Sequence, residues 1–377
     1  VTGSLDGLLI ADFSRVLAGP YATMLLGDLG AEVVKIERPG RGDDTREWGP
    51  PFDARGVATY FGSVNRNKRS VALDLALPEG RADARELVLE ADVVVENFRP
   101  GSMERFGLGY DDLAQEHPGL VYCSITGFGT GAGRDLPGYD LIVQAAGGLM
   151  SVTGHERDQR PTKAGVALVD VITGLHASLG ILAAIRHRDQ TGLGQRVEVS
   201  LLASLLSALV NQSAAYVAGG VVPGIMDGHP SIVPYAAFET ADGPLVIGVG
   251  NDGQFTAFAE VLGMPELSSD PRFATNPARV EHRTELLETV REPLRARARG
   301  DLTRALSAAG VPCSPINDIA AAFALASDLG LDPVVEIAPE PGGEVARQIR
   351  NPITLSRTPA TYRSPPPSFP GRMTGDG

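Results

Sequence analysis

One carboxylate stands alone in an apolar run. From Ala164 to Ile185 the only formally charged residue, with histidine neutral, is Asp170. An acid so placed has two uses. It can accept backbone N–H groups at a helix start, or, held and kept ionised there, it can act as a nucleophile. The residues that follow, "VITGLHASLGILAAIRHR", carry apolar side chains at helical spacing and predict a helix starting near Asp170. Spacing alone leaves both uses open. A second feature is the crowding of Arg38, Arg41, Arg46, Arg55, Arg66, Lys68 and Arg69 into one short stretch. On a chain of net charge −13 this group could hold a ligand bearing several phosphates, or form a solvated face of ordinary ion pairs.

Other chemistries lack their residues. The six histidines (His117, His155, His176, His187, His229 and His282) form no HxxxH or HxH set, and Cys123 and Cys313 form no ligand pair. No metal site is expected. The turn "SRVLAGPYAT" follows a strand-like "LLIADF" but has no GxGxxG fingerprint, and Pro20 removes one N–H that could meet a pyrophosphate. No Walker A sequence occurs either, so neither a nicotinamide nor a flavin cofactor is expected. The acidic balance argues against nucleic acid or an anionic membrane as partner. Two cysteines without a disulfide framework suit a reducing, cytoplasmic setting. Val199–Met226 carries no charge, but its serines, Asn211, Gln212 and closing glycines read as a buried helix and loop rather than a membrane span.

The elements that must position these residues alternate in the first half. "LLIADF", "EVVKIE", "SVALDL", "DVVVENF" and "LVYCSITGFG" read as strands, with helices at "GPYATMLLGDLG" and from Pro78 to Leu89. That rhythm predicts a mostly parallel α/β sheet covered by helices, with ligands at the carboxyl ends of its strands. A further helix is expected over 140–151. After residue 226 the pattern becomes a smaller α+β domain, with a hairpin at Asp242-Gly243. "DPVVEI" and "NPITLSRTP" read as late strands that rejoin the large domain. The tail "YRSPPPSFPGRMTGDG" reads as mobile.

The motifs "DFSRVLAGPYATMLLGDLGAEVVKIERPGRGDDTR", "NRNKRSVALDL", "ADVVVENFRPGSMERFGLGY", "GYDLIVQAAGGLMSVTG", "TGLGQRVEVSLL", "DPRFATNPARVEHRTEL" and "RTPATYRSPPP" span nearly the whole chain. Together they resemble the family III CoA-transferases, the superfamily that also holds the 2-methylacyl-CoA racemases. The resemblance implies a Rossmann-like large domain whose parallel sheet draws on both chain ends (1–198 and 335–377). It implies a linker helix over 199–225, and a small α+β domain with return linker over 226–334. It also implies a homodimer of interlocked subunits.

The resemblance gives Asp170 a role: attack on an acyl-CoA donor such as succinyl-CoA, then transfer of CoA to a carboxylic acid through aspartyl anhydride and aspartyl-CoA thioester intermediates. Backbone N–H groups near the helix start would steady the oxyanions. Coenzyme A, as substrate, is expected at Leu17, Ala18, Arg38, Leu73, Asn97, Phe98, Arg105, Tyr139 and Asp140. Tyr60 would line the same cavity or simply pack in the core, and a lid of Gly250, Asn251, Gly253 and Gln254 would close the site. The lid segment also reads as a capped strand-to-helix turn. Leu17 stands where the formyl-CoA branch has glutamine, which argues against a formyl or oxalyl acyl group. Two other readings compete. A racemase needs a histidine where this chain has Tyr139, a poor base at neutral pH. A non-catalytic CoA-binding protein has no need of Asp170.

Overall fold

The computed structural model describes residues 3–338 and 344–369. The chain divides into two units, the first of Val1–Leu149, Lys163–Val222 and Asp332–Gly377, the second of Met150–Thr162 and Pro223–Leu331.

In the first unit six strands form one parallel sheet: β1 (Leu9–Asp12), β2 (Glu32–Glu37), β3 (Lys68–Ala72), β4 (Val93–Glu96), β5 (Val121–Thr126) and β6 (Arg196–Ser200). Their order is β3-β2-β1-β4-β5-β6. β4 is buried at every residue and β2 at all but its first, as a sheet covered on both faces requires. Helix α1 (Ala18–Asp28) links β1 to β2, and α2 (Pro78–Glu90) links β3 to β4. Helices α3 (Asp140–Ala146) and α4 (Leu168–Thr191) lie between β5 and β6. Val169, Ala177, Ile181 and Ala184 of α4 enter one core with Ala18, Ala22 and Leu26 of α1 and the inner residues of β1, β4 and β5. Gly192, at φ 77°, ends α4 in the left-handed conformation that glycine adopts without penalty. By length and composition α4 could cross a bilayer, but this buried stripe makes it a core helix.

Four expectations change. Every strand of the large sheet comes from residues 9–200. The late strands β10 (Val334–Ile337) and β11 (Ala346–Ile349) pair antiparallel with each other instead of rejoining it, and "NPITLSRTP" follows β11 as irregular chain. The chain end joins the unit through hydrogen bonds. Asn351 Nδ2 donates to Asp28 at 3.0 Å, the Arg363 guanidinium donates to the carbonyls of Gly27, Gly30 and Ala31, and Pro366 is buried. The tail is therefore bound as far as residue 369, and 370–377 lie outside the described residues. Third, 199–225 is not one linker helix. It completes β6 and then forms α5 (Leu201–Ala208) and α6 (Val210–Val217), broken at Val210, whose φ of 40° cannot continue a right-handed helix. The helix expected over 140–151 ends at Ala146, and 150–162 groups with the second unit.

The second unit carries an antiparallel sheet of β7 (Tyr235–Thr240), β8 (Gly243–Gly248) and β9 (Cys313–Pro315) in the order β9-β8-β7. β7 and β8 form the expected hairpin, with its two-residue turn at Ala241-Asp242 rather than Asp242-Gly243, because Gly243 already pairs with Thr240. Helices α7 (Asp252–Leu262), α8 (Arg283–Arg295), α9 (Arg299–Ala308) and α10 (Ile319–Asp328) complete the unit. Its core gathers Phe255, Phe258, Leu286, Val290 and Leu302. The buried Arg279 is fully occupied: it donates to Val233 O, Phe273 O and Asp252 Oδ1 at 2.8–2.9 Å, which is what a charge away from water needs.

Candidate active site

The loop leaving β1 is held by side chains from three directions. The backbone N–H groups of Ser14, Arg15 and Val16 donate to Asp12 Oδ1 (3.0 Å), Asn97 Oδ1 (2.9 Å) and Asp43 Oδ2 (3.2 Å). Val16 sits at φ 69°, a region that a β-branched residue enters only when its surroundings impose it. The surroundings here are a buried polar network. Lys35 pairs with Asp43 at 2.9 Å and donates to Ser14 O at 2.8 Å, while Lys68 pairs with Asp12 at 3.1 Å. Burial opposes the Lys35 charge, but Asp43, Asp12 and Glu37 outweigh it and hold the ammonium above its ordinary range. Lys68, with less compensation for its burial and with Lys35 nearby, drops to about 8.

Beyond Val16 the N–H groups of Leu17, Ala18 and Gly19 have no acceptor among the described residues. Leu17 and Ala18 line a cavity of about 250 Å³ at the carboxyl ends of β1, β4 and β5. That is where the strand order turns from leftward to rightward, the usual ligand position in such sheets. Of the residues expected from sequence, Leu17, Ala18, Asn97, Phe98, Tyr139 and Asp170 line it together.

Arg15, Arg99 and Arg134 line the same cavity, and none has a carboxylate partner among the described residues. The Arg15 guanidinium lies 5.0 Å over the Phe98 ring, and Arg134 reaches only the Pro100 carbonyl, at 3.4 Å. Sequence reasoning missed Arg15 and Arg134 as site residues and did not count Arg99 among them. The signal was topological: each follows or faces a strand end. The expected basic group dissolves instead into separate ion pairs. Arg46 pairs with Glu37, Arg55 with Asp53, Arg66 with Asp28, Lys68 with Asp12 and Arg69 with Glu32. Arg38 and Arg41 remain exposed and outside those pairs.

Asp170 is the third residue of α4, not its cap; Ala167 holds that position. The capping is done from outside. Asp140 Oδ1, at the start of α3, accepts the N–H of Val169 at 2.8 Å and of Asp170 at 3.2 Å. Leu168 and Val171 N–H groups bond Val166 O and Ala167 O. The N–H groups at the start of α4 are thus taken, and the open ones belong to α1. Nor does the helix start keep Asp170 firmly ionised. Burial first, and the neighbouring Asp140 charge second, push its carboxyl up to about 7.

The remaining expected residues fall elsewhere. Arg38 and Leu73 follow β2 and β3 at the same sheet edge but off the cavity lining, and Arg105 bonds Ser102 Oγ at 3.0 Å. Tyr60 is off the lining too. Its ring meets Trp48 edge-on at 5.1 Å, and burial together with Asp170, Asp140 and Asp43 raises its phenol to about 12. In the second unit Asn251 Oδ1 caps α7 by accepting the Gln254 N–H at 2.9 Å, and Gln254 Oε1 accepts the Gly250 N–H at 2.8 Å. Gly250, Asn251, Gly253 and Gln254 therefore form a capped strand-to-helix turn.

Comparison with known proteins places the geometry in context. Residues 5–372 match the family described as CoA-transferase family III. The chain is 43% identical to a succinate–glutarate CoA-transferase of Agrobacterium fabrum over 97% of this chain and 92% of that protein. It is 42% identical to the succinyl-CoA:glutarate CoA-transferase of Mus musculus over 96% and 83%. Among solved structures, a CAIB/BAIF family protein from Brucella suis is 41% identical and superposes with a TM-score of 0.85, covering 98% of this chain and 97% of that one.

Proposed function

This chain belongs to CoA-transferase family III, and from that premise we propose that it moves CoA from a succinyl-CoA-type donor to a small dicarboxylic acid through covalent intermediates on Asp170. The observation that carries the reading is the Asp170 carboxylate on the wall of a cavity that also presents three guanidiniums without a carboxylate partner and the open Leu17 and Ala18 N–H groups. The relatives named above act on succinate and glutarate, which supports a dicarboxylic acceptor.

An Asp170 oxygen attacks the thioester carbonyl carbon. The C–O bond forms as C–S breaks, and the CoA thiolate leaves with the electron pair. The thiolate then attacks the Asp170 carboxyl carbon, expelling the donor acid as a carboxylate and leaving an aspartyl-CoA thioester. An acceptor carboxylate attacks that thioester and releases the thiolate again. The thiolate finally attacks the acceptor carbonyl, giving the acceptor's CoA ester and free Asp170. Dividing the transfer this way replaces one hard step by easier ones. The open N–H groups of Leu17 and Ala18 support stabilisation of the oxyanions. Arg15, Arg99 and Arg134 suit the anionic parts of the CoA thioester and the acceptor.

A two-base racemase fits less well. The cavity lining holds no histidine, and Tyr139 stands where that branch carries one. A homodimer is part of the proposal, because Leu179, Tyr216, Val217 and Val222 leave 61–81% of their surface exposed in the single chain.

The experiment is to incubate the protein with succinyl-CoA, trap with hydroxylamine and map the adduct by mass spectrometry. A hydroxamate at Asp170, absent from Asp170→Ala, is the expected result. Transfer by Asp170→Ala at the wild-type rate overturns the mechanism.

A further inference from the structure

Helix α4 carries a glycine one turn beyond Asp170. Residues four apart share a helix face, so Gly174 lies on the face of α4 from which Asp170 enters the cavity. Glycine is a poor helix former, and at an ordinary interior position alanine would serve the helix better. Position 174 is not ordinary. A Cβ there would stand 2.6 Å from the Ala18 carbonyl oxygen and 3.1 Å from Tyr21 Cδ1. The first obstacle is backbone, which cannot swing aside as a side chain can. Ala18 is the first residue of α1, and with Leu17 it forms the cavity wall facing Asp170. The wall is also fixed from behind. Ser14 Cβ lies 2.3 Å from where a Cβ on Gly19 would be, and the Val16 N–H is tied to Asp43. A side chain at 174 therefore has one outlet, which is to move the start of α4 away from α1.

We infer that Gly174 is a positioning residue for the transfer reaction: by letting α4 rest directly on the Ala18 carbonyl, it sets the gap between the Asp170 carboxylate and the Leu17–Ala18 wall. This rests on the reading of Asp170 as nucleophile. The acyl carbon must lie in that gap, within reach of an aspartate side chain. A displacement near 1 Å is enough to lower such a reaction about 100-fold without abolishing binding.

The test compares Gly174→Ala with Gly180→Ala on the same helix, where the added Cβ would meet Val197 Cγ1, a side-chain atom, at 2.7 Å. Binding of CoA is read by calorimetry, and turnover and hydroxylamine trapping at Asp170 by mass spectrometry. Gly174→Ala should bind CoA within about threefold of wild type while kcat and the trapping rate fall together by about 30-fold or more. Gly180→Ala should keep kcat within about twofold. Adding Asp170→Glu to Gly174→Ala should restore part of the trapping, because the longer side chain spans the widened gap. A folded Gly174→Ala with wild-type kcat, or an equal loss in Gly180→Ala, overturns the inference.

If Gly174→Ala does not fold, Asp170→Glu in the unmodified chain decides. A gap set for aspartate predicts a large loss of kcat with CoA affinity unchanged, and retention of wild-type kcat refutes the role of the spacing. Asp170→Ala run alongside separates the two levels. An inactive Asp170→Ala beside a fully active Gly174→Ala removes only the positioning role, whereas an active Asp170→Ala removes the nucleophile itself.

Discussion

Asp140 caps the helix that carries Asp170: one carboxylate oxygen accepts the N–H groups of Val169 and Asp170 at 2.8 and 3.2 Å. The same carboxylate repels the charge of Asp170 and helps to raise its pKa. Two substitutions separate these effects. Asp140→Asn keeps an acceptor oxygen and removes the charge, so the acid limb of kcat/KM should move to lower pH with little change in stability. Asp140→Ala should move the limb in the same direction and also lose about 1 kcal/mol of stability with the cap. An unchanged limb in both variants would show that Asp140 does not act on Asp170.

Asp170 itself links activity and stability with opposite signs. Its folded pKa is raised from 3.8 to about 7, so the native protein holds this proton more tightly than the unfolded chain. Stability from this group is complete below pH 4 and is lost as pH rises through 7, by on the order of 4 kcal/mol at most. In the proposed mechanism the nucleophile is the ionised form, so kcat/KM should rise through the same window. Asp170→Asn should be inactive at every pH, and in thermal melts it should gain on wild type between pH 5 and 8. Parallel melting curves across that range would contradict the assignment.

The exposed apolar residues predict a second copy of the chain. Leu179 on α4 is 66% exposed and Val217 on α6 is 81% exposed, and neither has a role in the single chain's core. Leu179→Arg and Val217→Glu together should lower the molar mass seen by light scattering from dimer to monomer. A wild-type protein that runs as a monomer at micromolar concentration would remove the dimer from the proposal.

Much of this site was legible because its signals are local. Asp170 stands out in its apolar run, and strand ends such as Asn97-Phe98 mark where ligands gather. The hidden parts depend on residues distant in sequence. That Asp140 would cap a helix starting near residue 168 follows from the packing of α3 on α4, which no spacing announces. The same is true of the basic stretch. Arg66 looks available until Asp28 folds against it at 2.6 Å, whereas Arg134, in an unremarkable glycine-rich loop, ends up on the cavity wall. The late strands misled for a related reason. "DPVVEI" has the composition of a sheet strand, but its partner is the neighbouring Ala346–Ile349, and composition does not say which edge a strand will join.

The buried Lys35–Asp43 pair should be expensive to break. Both side chains are fully buried at 2.9 Å, and Asp43→Asn would leave the ammonium without its nearest counter-charge while keeping an oxygen for the Val16 and Thr45 N–H groups. Removing one partner of such a pair costs about 3–5 kcal/mol, and the lower end applies here because Asp12 and Glu37 also face Lys35. Urea unfolding at neutral pH should show that loss. A change below about 1 kcal/mol would mean that the network is not what holds the loop.

Arg363 offers the clearest test of what the chain end does. Its guanidinium donates to Gly27 O at 2.9 Å, Gly30 O at 2.8 Å and Ala31 O at 2.6 Å. These carbonyls belong to the end of α1 and the turn into β2, where a helix leaves acceptors without intrahelical partners and its dipole favours a cation. The flat fork of an arginine can serve several carbonyls at once, which a lysine ammonium does less well. Arg363→Ala should therefore cost about 2–3 kcal/mol in urea unfolding, and Arg363→Lys should recover part of it. The contact grips α1 at the end opposite Leu17 and Ala18, so kcat should stay within about threefold of wild type while the folded fraction remains high. A large fall in kcat at full folding would instead mean that the chain end sets the cavity wall through α1, and not only the stability of the unit.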